Sequence, residues 1–361
     1  SFNEFLAELQ PDAVLFDRFF TEEQFGWRVE QVCPKALRLL DTEDLHSLRY
    51  ARHQLLKCAQ KESTNETARQ SIDPILASCE EIYQRMATED MAQREIAAIF
   101  RCDLSLMISQ FEIELLTNYF SIPKQLLHYS PFLEVKTEQE ILPSFNERQH
   151  FISIGNFRHE PNWDAVLYLK HAIWPLIREQ LPQAELHVYG AYPPPKATQL
   201  QNAKQGFHIK GWADDAHKVM QQARVCLAPL RFGAGIKGKL MDAMRNGTPS
   251  VTTSIGAEAM QGDLHWGGFV ENTAEKIAAA ATKLYNDKDI WLKSQVQGSN
   301  ILQNYFGALN HSRLLIDRID SLQANLVSER QQNFIGLMLR HHMLKSTQYM
   351  SQWIEVKNRK S

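Results

Sequence analysis

The sequence predicts an α/β protein built on two parallel sheets, and three observations carry that prediction. Short apolar runs alternate with longer helical patterns along most of the 361 residues, as strands joined by crossover helices do. The alternation lapses once, over residues 130–149, into Pro, Glu and scattered apolar residues, and then starts afresh, which divides the chain into two domains. Apolar residues make up 44% of the chain, enough to bury two ordinary cores.

Taken in order, the first half places strands at 13–16, 36–40, 104–108 and 125–128. Between them, Leu45, Leu48, Leu55 and Leu56 recur at helical spacing, as do the apolar residues from 82 to 100. Ser109 and Glu112 read as a capping box opening the helix after the third strand. Residues 61–70 have no apolar periodicity and read as a loop or frayed helix without chemical meaning. The second half places strands at 151–154, 185–189, 207–209, 225–230, 250–253 and 268–270, with Gly247 and Pro249 ending the helix before one of them. After Asn310 the pattern is all helical, and 333–355 reads as one long amphipathic helix. The expected boundaries are a first domain over 1–135, a linker over 136–149, a second domain over 150–310 and a helical segment over 311–361 that packs back on the first domain. Of sixteen glycines only Gly26 precedes Gly155, so the first half lacks the glycine-bearing turn that usually follows the first strand of such a domain. Together with a first residue other than Met, this gives the expectation that the sequence enters its first domain partway.

Composition excludes several partners. The formal charge is −3 with both signs interspersed, so no field of one sign selects nucleic acid, and none is expected as a partner. The five cysteines are far apart and form no C-x-x-C pair, which argues against a disulfide framework and a zinc cluster and fits a reducing cytoplasm. No apolar run approaches the about 20 residues that span a bilayer.

The segment with chemistry in it is RFGAGIKGKLMDAM, from Arg231 to Met244, where an apolar strand runs through three glycines into a helix. Glycines let a backbone approach a ligand closely, and the free amides of a helix start point at an anion with the positive end of the dipole behind them. Lys237 and Lys239 sharpen this, because a cation at a helix N-terminus costs about 0.3–1 kcal/mol unless an anion is present. A solvated turn with two surface lysines is the bland alternative. Gly233, Gly238 and Lys239 also match G-x-x-x-x-G-K, but Leu240 stands where a P-loop needs Ser or Thr for magnesium.

Together with FISIGNFRHEPNWDAV, HVYGA, HIKGWADD and VTTSIGAEAM, this segment resembles GT4-like glycosyltransferases (glycosyl transferases group 1) of the GT-B fold, closely over residues 151–305. The resemblance implies two Rossmann-like domains facing across a cleft, the first incomplete here. It implies a nucleotide-sugar co-substrate such as a UDP- or GDP-sugar, and retaining transfer without a metal or other cofactor. Gly155, Asn156 and Arg158 then lie near the diphosphate, and Gly233, Gly235, Lys237 and Lys239 hold it from the helix side, with Arg231 adding charge. The family commonly has two glutamates where this chain has Ala234 and Asp242. Asp242 retains a carboxylate for the ribose hydroxyls. Ala234 retains nothing, and Glu258 is the substitute candidate for the donor sugar. Trp212 stands where the family positions the base, with core packing as the alternative.

In the first half, Asp41, Asp44 and His46 end a candidate strand where the family carries an active-site His or Asp; Asp44 and His46 are therefore the catalytic candidates beside Lys237. Capping of the next helix by Asp41 or Asp44 competes with this. Arg49 and Arg52 read either as acceptor contacts or as exposed helix arginines. Asp287-Lys-Asp289 mimics a D-x-D metal site but joins two helical patterns, where aspartates cap. The expected acceptor is a glycan, a lipid-linked molecule or another hydroxyl compound, and the expected location is the cytoplasm, with the inner membrane face open because the last helix offers a peripheral membrane contact. Two other readings stay open: a nucleotide-sugar epimerase of the same fold, and a binding or inactive protein.

Overall fold

The computed structural model describes residues 2–63, 65–134 and 141–343, together with Trp353 and Lys357. It separates into two compact units, one comprising the residues up to Ser47, Cys79–Pro131 and the segment from Leu309 onward, the other Leu48–Ser78 and Phe132–Ala308.

The first unit is a parallel sheet of β1 (Ala13–Asp17), β2 (Leu37–Asp41), β3 (Leu104–Met107) and β4 (Leu127–Tyr129), in that spatial order. All four expected strands are present; the last starts later than expected because a 3-10 turn, Lys124–Leu126, follows Pro123. Leu37, Leu39 and Leu104 pack one face of the sheet against Leu322, with Leu315, Ile319 and Leu326 alongside, so the helices Ala308–Ala324 and Leu326–Gln332 cover it. Arg330 secures them: its guanidinium donates to both carboxylate oxygens of Asp103 at 2.8 Å and to the carbonyls of Pro34 and Ala36 at 2.6 and 2.8 Å. The expected long helix from 333 is interrupted at its start. Asn333 donates to the Phe100 carbonyl at 2.8 Å and accepts from the Gly336 amide, and residues 334–343 are helical. The rest of that prediction, apart from Trp353, lies outside the described residues.

Gly26, the solitary early glycine, makes no turn. It lies within the helix Arg18–Val32, and a Cβ there would stand 2.5 Å from Arg38 Nη2 and from Glu22 Oε1. Its absence lets Arg38, buried in β2, reach the helix, where it bonds Glu22 at 2.6 Å and the Gly26 carbonyl at 2.8 Å. Arg101 closes the network with a bidentate pair to Glu22, so three charges share one buried site. The expected capping box at Ser109 is not formed. Ser109 occupies the N-cap of the helix Gln110–Tyr119, but its hydroxyl makes no capping bond, and Glu112 instead accepts from the Leu45 amide at 3.2 Å.

The second unit is a six-stranded parallel sheet of β5 (Gln149–Ile154), β6 (Leu186–Tyr189), β7 (Phe207–Gly211), β8 (Ala223–Ala228), β9 (Ser250–Thr252) and β10 (Gly268–Val270), ordered β10-β9-β8-β5-β6-β7. The order reverses between β5 and β8, the place where an open α/β sheet leaves a crevice beyond its carboxyl ends. The core joins Phe151, Leu186, Val225 and Val251 to Trp174, Ile277, Leu284 and Trp291 of the flanking helices. Asp287 caps the helix Lys288–Tyr305 by accepting from the Asp289 and Ile290 amides, the structural role expected of it.

Residues 48–78, expected within the first domain, pack with the second unit. Residues 61–70, expected to be a loop or frayed helix, include a short helix, Glu66–Gln70, capped by Asn65. The segment docks through backbone carbonyls and one carboxylate rather than an apolar stripe, which is why periodicity misses it. Asp73 accepts from Tyr168 Oη at 2.5 Å and from the Ala274 amide at 3.1 Å. Among the described residues no helix is long and apolar enough to cross a membrane.

Arg330→Ala removes the main partner of a buried carboxylate, and loss of one member of such a pair is strongly destabilising. Urea unfolding of the variant is expected to show a loss of about 3 kcal/mol; an unchanged midpoint would mean that Arg330 does not hold the terminal helices.

Candidate functional site

The strongest constellation in the second unit forms at the β5/β8 reversal. Gly155 follows β5, and a Cβ on it would stand 2.6 Å from Asn162 Nδ2 and 2.9 Å from Lys239 Nζ, so the lysine ammonium lies directly against this glycine. Lys239 Nζ donates to Asn162 Oδ1 at 2.5 Å, and Asn162 Nδ2 donates to the Asn156 carbonyl at 3.1 Å. Asn156 turns the loop by accepting from the Arg158 amide at 2.9 Å, and the Arg158 guanidinium lies 4.0 Å over the Tyr192 ring. The loop after β5 and the helix start after β8 therefore meet as expected.

The helix Gly238–Arg245 begins without a side-chain cap, its N-cap position being Lys237. Gly235 takes a left-handed conformation, φ 62°, and lets the chain double back so that the buried Lys237 donates to the Gly235 carbonyl at 2.8 Å. The stem of Lys237 lies 3.8 Å from where a Cβ on Gly233 would be. Burial pushes the Lys239 ammonium down to about 8, against an opposing contribution from Cys226. Two cationic side chains thus sit at the positive end of a helix, an arrangement that an anion stabilises.

Arg231 has a different role from the one expected of it. It is buried, and its guanidinium forms a bidentate pair with Asp164 at 2.6 and 2.8 Å while donating to the carbonyls of Arg69, Gln70 and Ile72 at 3.5, 3.1 and 2.8 Å. Its fork is spent on the protein, so it anchors the 66–73 segment rather than supplying charge to a ligand. Glu258 is likewise engaged. Both its oxygens accept from Arg52, at 2.9 and 2.6 Å, and Arg52 also donates to the Gly233 carbonyl at 2.9 Å. Arg52 is thus neither exposed nor idle: it is buried and braces the glycine loop. Neighbouring His53 stacks on Phe232 at 4.2 Å and pairs with Glu160 at 3.2 Å, a contact the sequence reading missed. Its only signal is the adjacency of two polar residues on a helix whose apolar pattern is otherwise clear.

Asp242 lies further along the helix, paired with Arg245 at 2.8 Å, and desolvation raises its carboxyl above the ordinary range. Trp212 follows Gly211, which turns the chain at φ 72°, and is 69% exposed, which excludes the core-packing alternative.

In the first unit, Asp44 lies in the turn after β2 and His46 opens the next helix, with His46 Nε2 3.5 Å from Asp44 Oδ1. The start of the helix His46–Lys61 is satisfied from elsewhere: buried Glu95 accepts from the His46 and Ser47 amides at 2.7 and 2.9 Å and from the Ser47 hydroxyl. Glu95 comes from the helix Asp90–Arg101, so no local pattern announces it. Burial pushes its carboxyl up to about 7 against the hydrogen bonds from Ser47 and His46.

Two expectations follow. Arg231→Ala should unfold at lower denaturant, by about 3 kcal/mol, and should expose the 66–73 segment to protease; unchanged protection would remove its anchoring role. Because folding raises the Glu95 pKa, the folded chain holds a proton that the unfolded chain has released, so this group's stabilisation is complete below the usual carboxylate range and is lost as pH rises through about 7. Thermal unfolding between pH 4.5 and 8 should show this component in the native chain and not in Glu95→Gln.

Comparison with known proteins places this geometry. Residues 148–287 match the family model described as glycosyl transferases group 1. No curated protein sequence matches the chain. Among solved structures, S. aureus TarM, in complex with fondaparinux, α-GlcNAc-glycerol and UDP, superposes with a TM-score of 0.64 at 10% identity over 88% of this chain and 57% of that one. The pneumococcal O-GlcNAc transferase GtfA, in complex with UDP and GlcNAc, gives 0.59 at 16% identity over 89% and 59%. Anabaena HepE, in complex with UDP and glucose, gives 0.61 at 11% identity over 89% and 80%. The chain thus spans less than two thirds of the length of TarM and GtfA. Its two Rossmann-like sheets have the GT-B fold, and most of its second unit resembles the group 1 glycosyl transferases over the matched residues.

Proposed function

We propose that the chain transfers a sugar from a nucleoside diphosphate donor, of the UDP class, to a hydroxyl acceptor, with retention of anomeric configuration and without a metal ion at the donor diphosphate. The observation that carries this reading is Lys239 Nζ lying against Gly155 at the uncapped start of the helix Gly238–Arg245, beyond the reversal point of the sheet. The UDP in the TarM, GtfA and HepE structures supports the donor class. In the reaction the bond from the anomeric carbon to the β-phosphate oxygen breaks, the acceptor oxygen bonds that carbon, and the acceptor proton leaves. Charge developing on the diphosphate is stabilised by Lys237, Lys239 and the amides that open the helix, all fixed in place before the reaction. Asp242 is assigned to the ribose, Trp212 to the base, and Gly155, Asn156 and Arg158 to the diphosphate side. The Asp44–His46 pair is assigned to the acceptor side. A glycan or lipid-linked acceptor fits this reading. So does a peripheral contact with the inner face of a membrane, supported by exposed Phe334, Ile335 and Met338.

One observation favours a second reading, nucleotide-sugar binding without transfer: Ala234 lacks a carboxylate, and Glu258, the substitute, is held by Arg52.

Calorimetric titration with UDP, GDP, ADP and CMP, with and without EDTA, tests both. One diphosphate should bind irrespective of EDTA, and Lys239→Ala or Lys237→Ala should weaken it at least tenfold. Binding should also weaken as pH rises above about 8, because the unliganded Lys239 loses its proton there and an anion restores it, with proton uptake on binding. UDP-sugar binding with no turnover on any acceptor would favour the second reading, and no binding to any nucleotide would overturn both.

A further inference from the structure

Two histidines on β6 and β7 and a glutamate just before β6 converge at the end of the sheet opposite the glycine loop. His187 and His208 are register partners on neighbouring parallel strands, and Glu185 precedes His187 by two residues, so all three project from the same face. Their strands begin here, whereas the donor site lies beyond strand ends. Glu185 Oε2 lies 2.8 Å from His187 Nε2 and its Oε1 lies 3.7 Å from His208 Nε2. One ligand atom from each residue lies within 4.8 Å of the other two.

We propose that Glu185, His187 and His208 form a binding site for a divalent transition metal ion of the zinc class. Two imidazoles and one carboxylate are ligands zinc accepts, and tetrahedral coordination at bond lengths of about 2.1 Å puts ligand atoms about 3.4 Å apart. The present separations bracket that value, so side-chain rotation without strand movement brings the three atoms to an ion. A second observation points the same way. His208 Nε2 is buried and makes no hydrogen bond, which is costly for a group able to bind water or an ion. The His187 ring is held by His150, stacked on it at a centroid distance of 3.9 Å, and by His208 at 89°. Sequence spacing conceals the set, because one histidine comes from each strand with a helix and two loops between. The Lys210 ammonium acts on the same cluster and opposes a cation, so it lowers the affinity without removing a ligand. Three protein ligands leave the fourth position to water or an exogenous group. Because β7 is the edge strand, the ion would pin it to β6.

The test uses the full chain stripped of metal by chelator and dialysis, then titrated with zinc chloride against a chromophoric chelator. One equivalent should bind, and the melting temperature should rise with metal concentration. His208→Gln and Glu185→Gln should each weaken binding at least tenfold, and Lys239→Ala should bind zinc like the native chain. Cobalt substitution, which needs no variant, should give the intense visible absorption of a tetrahedral ion with nitrogen ligands. Absence of zinc binding in the micromolar range, or an unchanged affinity in a folded His187→Gln/His208→Gln variant, would overturn the site.

Discussion

The second unit is organised around one guanidinium. Arg231 leaves the end of β8 into the interior and there binds Asp164 and three backbone carbonyls. An arginine that is always charged cannot be buried without such partners, so its placement requires the 66–73 segment to lie against the unit. With that end fixed, Phe232 lies under His53, and Gly233 is held through its carbonyl by Arg52. The glycine loop is thus clamped on its outer side by a helix that sequence order would assign to the other domain.

That clamp decides which charged side chains are taken up by the protein itself. Arg231, Arg52 and Glu258 are consumed in holding the loop, whereas Lys237 and Lys239, the cations of the proposed donor site, bond one uncharged oxygen each. Lys239 is desolvated and paired with a neutral amide, a combination that keeps its ammonium less stable than in water. A diphosphate beside it would restore that stability and find the helix amides already oriented. In the proposed reaction, the same rigidity that spends three charged residues on structure would hold the two lysines ready for an incoming anion.

The first unit shows the same economy with a different group. Glu95 and Glu112, reaching from neighbouring helices, satisfy amides at the turn after β2 and the helix start that follows, where Asp44 and His46 stand. Capping by Asp41 or Asp44 competes with the catalytic reading of this segment, because a short polar residue before a helix usually caps it. A carboxylate from distant residues does the same work when packing delivers it, and no window of neighbouring residues contains that information.

The ten strands among the described residues were legible because apolar periodicity is local. So were the meeting of Gly155 with Lys239 in outline and the capping role of Asp287. Tertiary structure alone decided that residues 48–78 belong with the second unit, that Arg231 is an anchor, that Glu258 is held by Arg52, and that Glu185, His187 and His208 share a face. The physical reason is common to all four. Apolar burial leaves a periodic trace along the chain, whereas a buried charge is satisfied by whichever donor or acceptor the fold brings within about 3 Å.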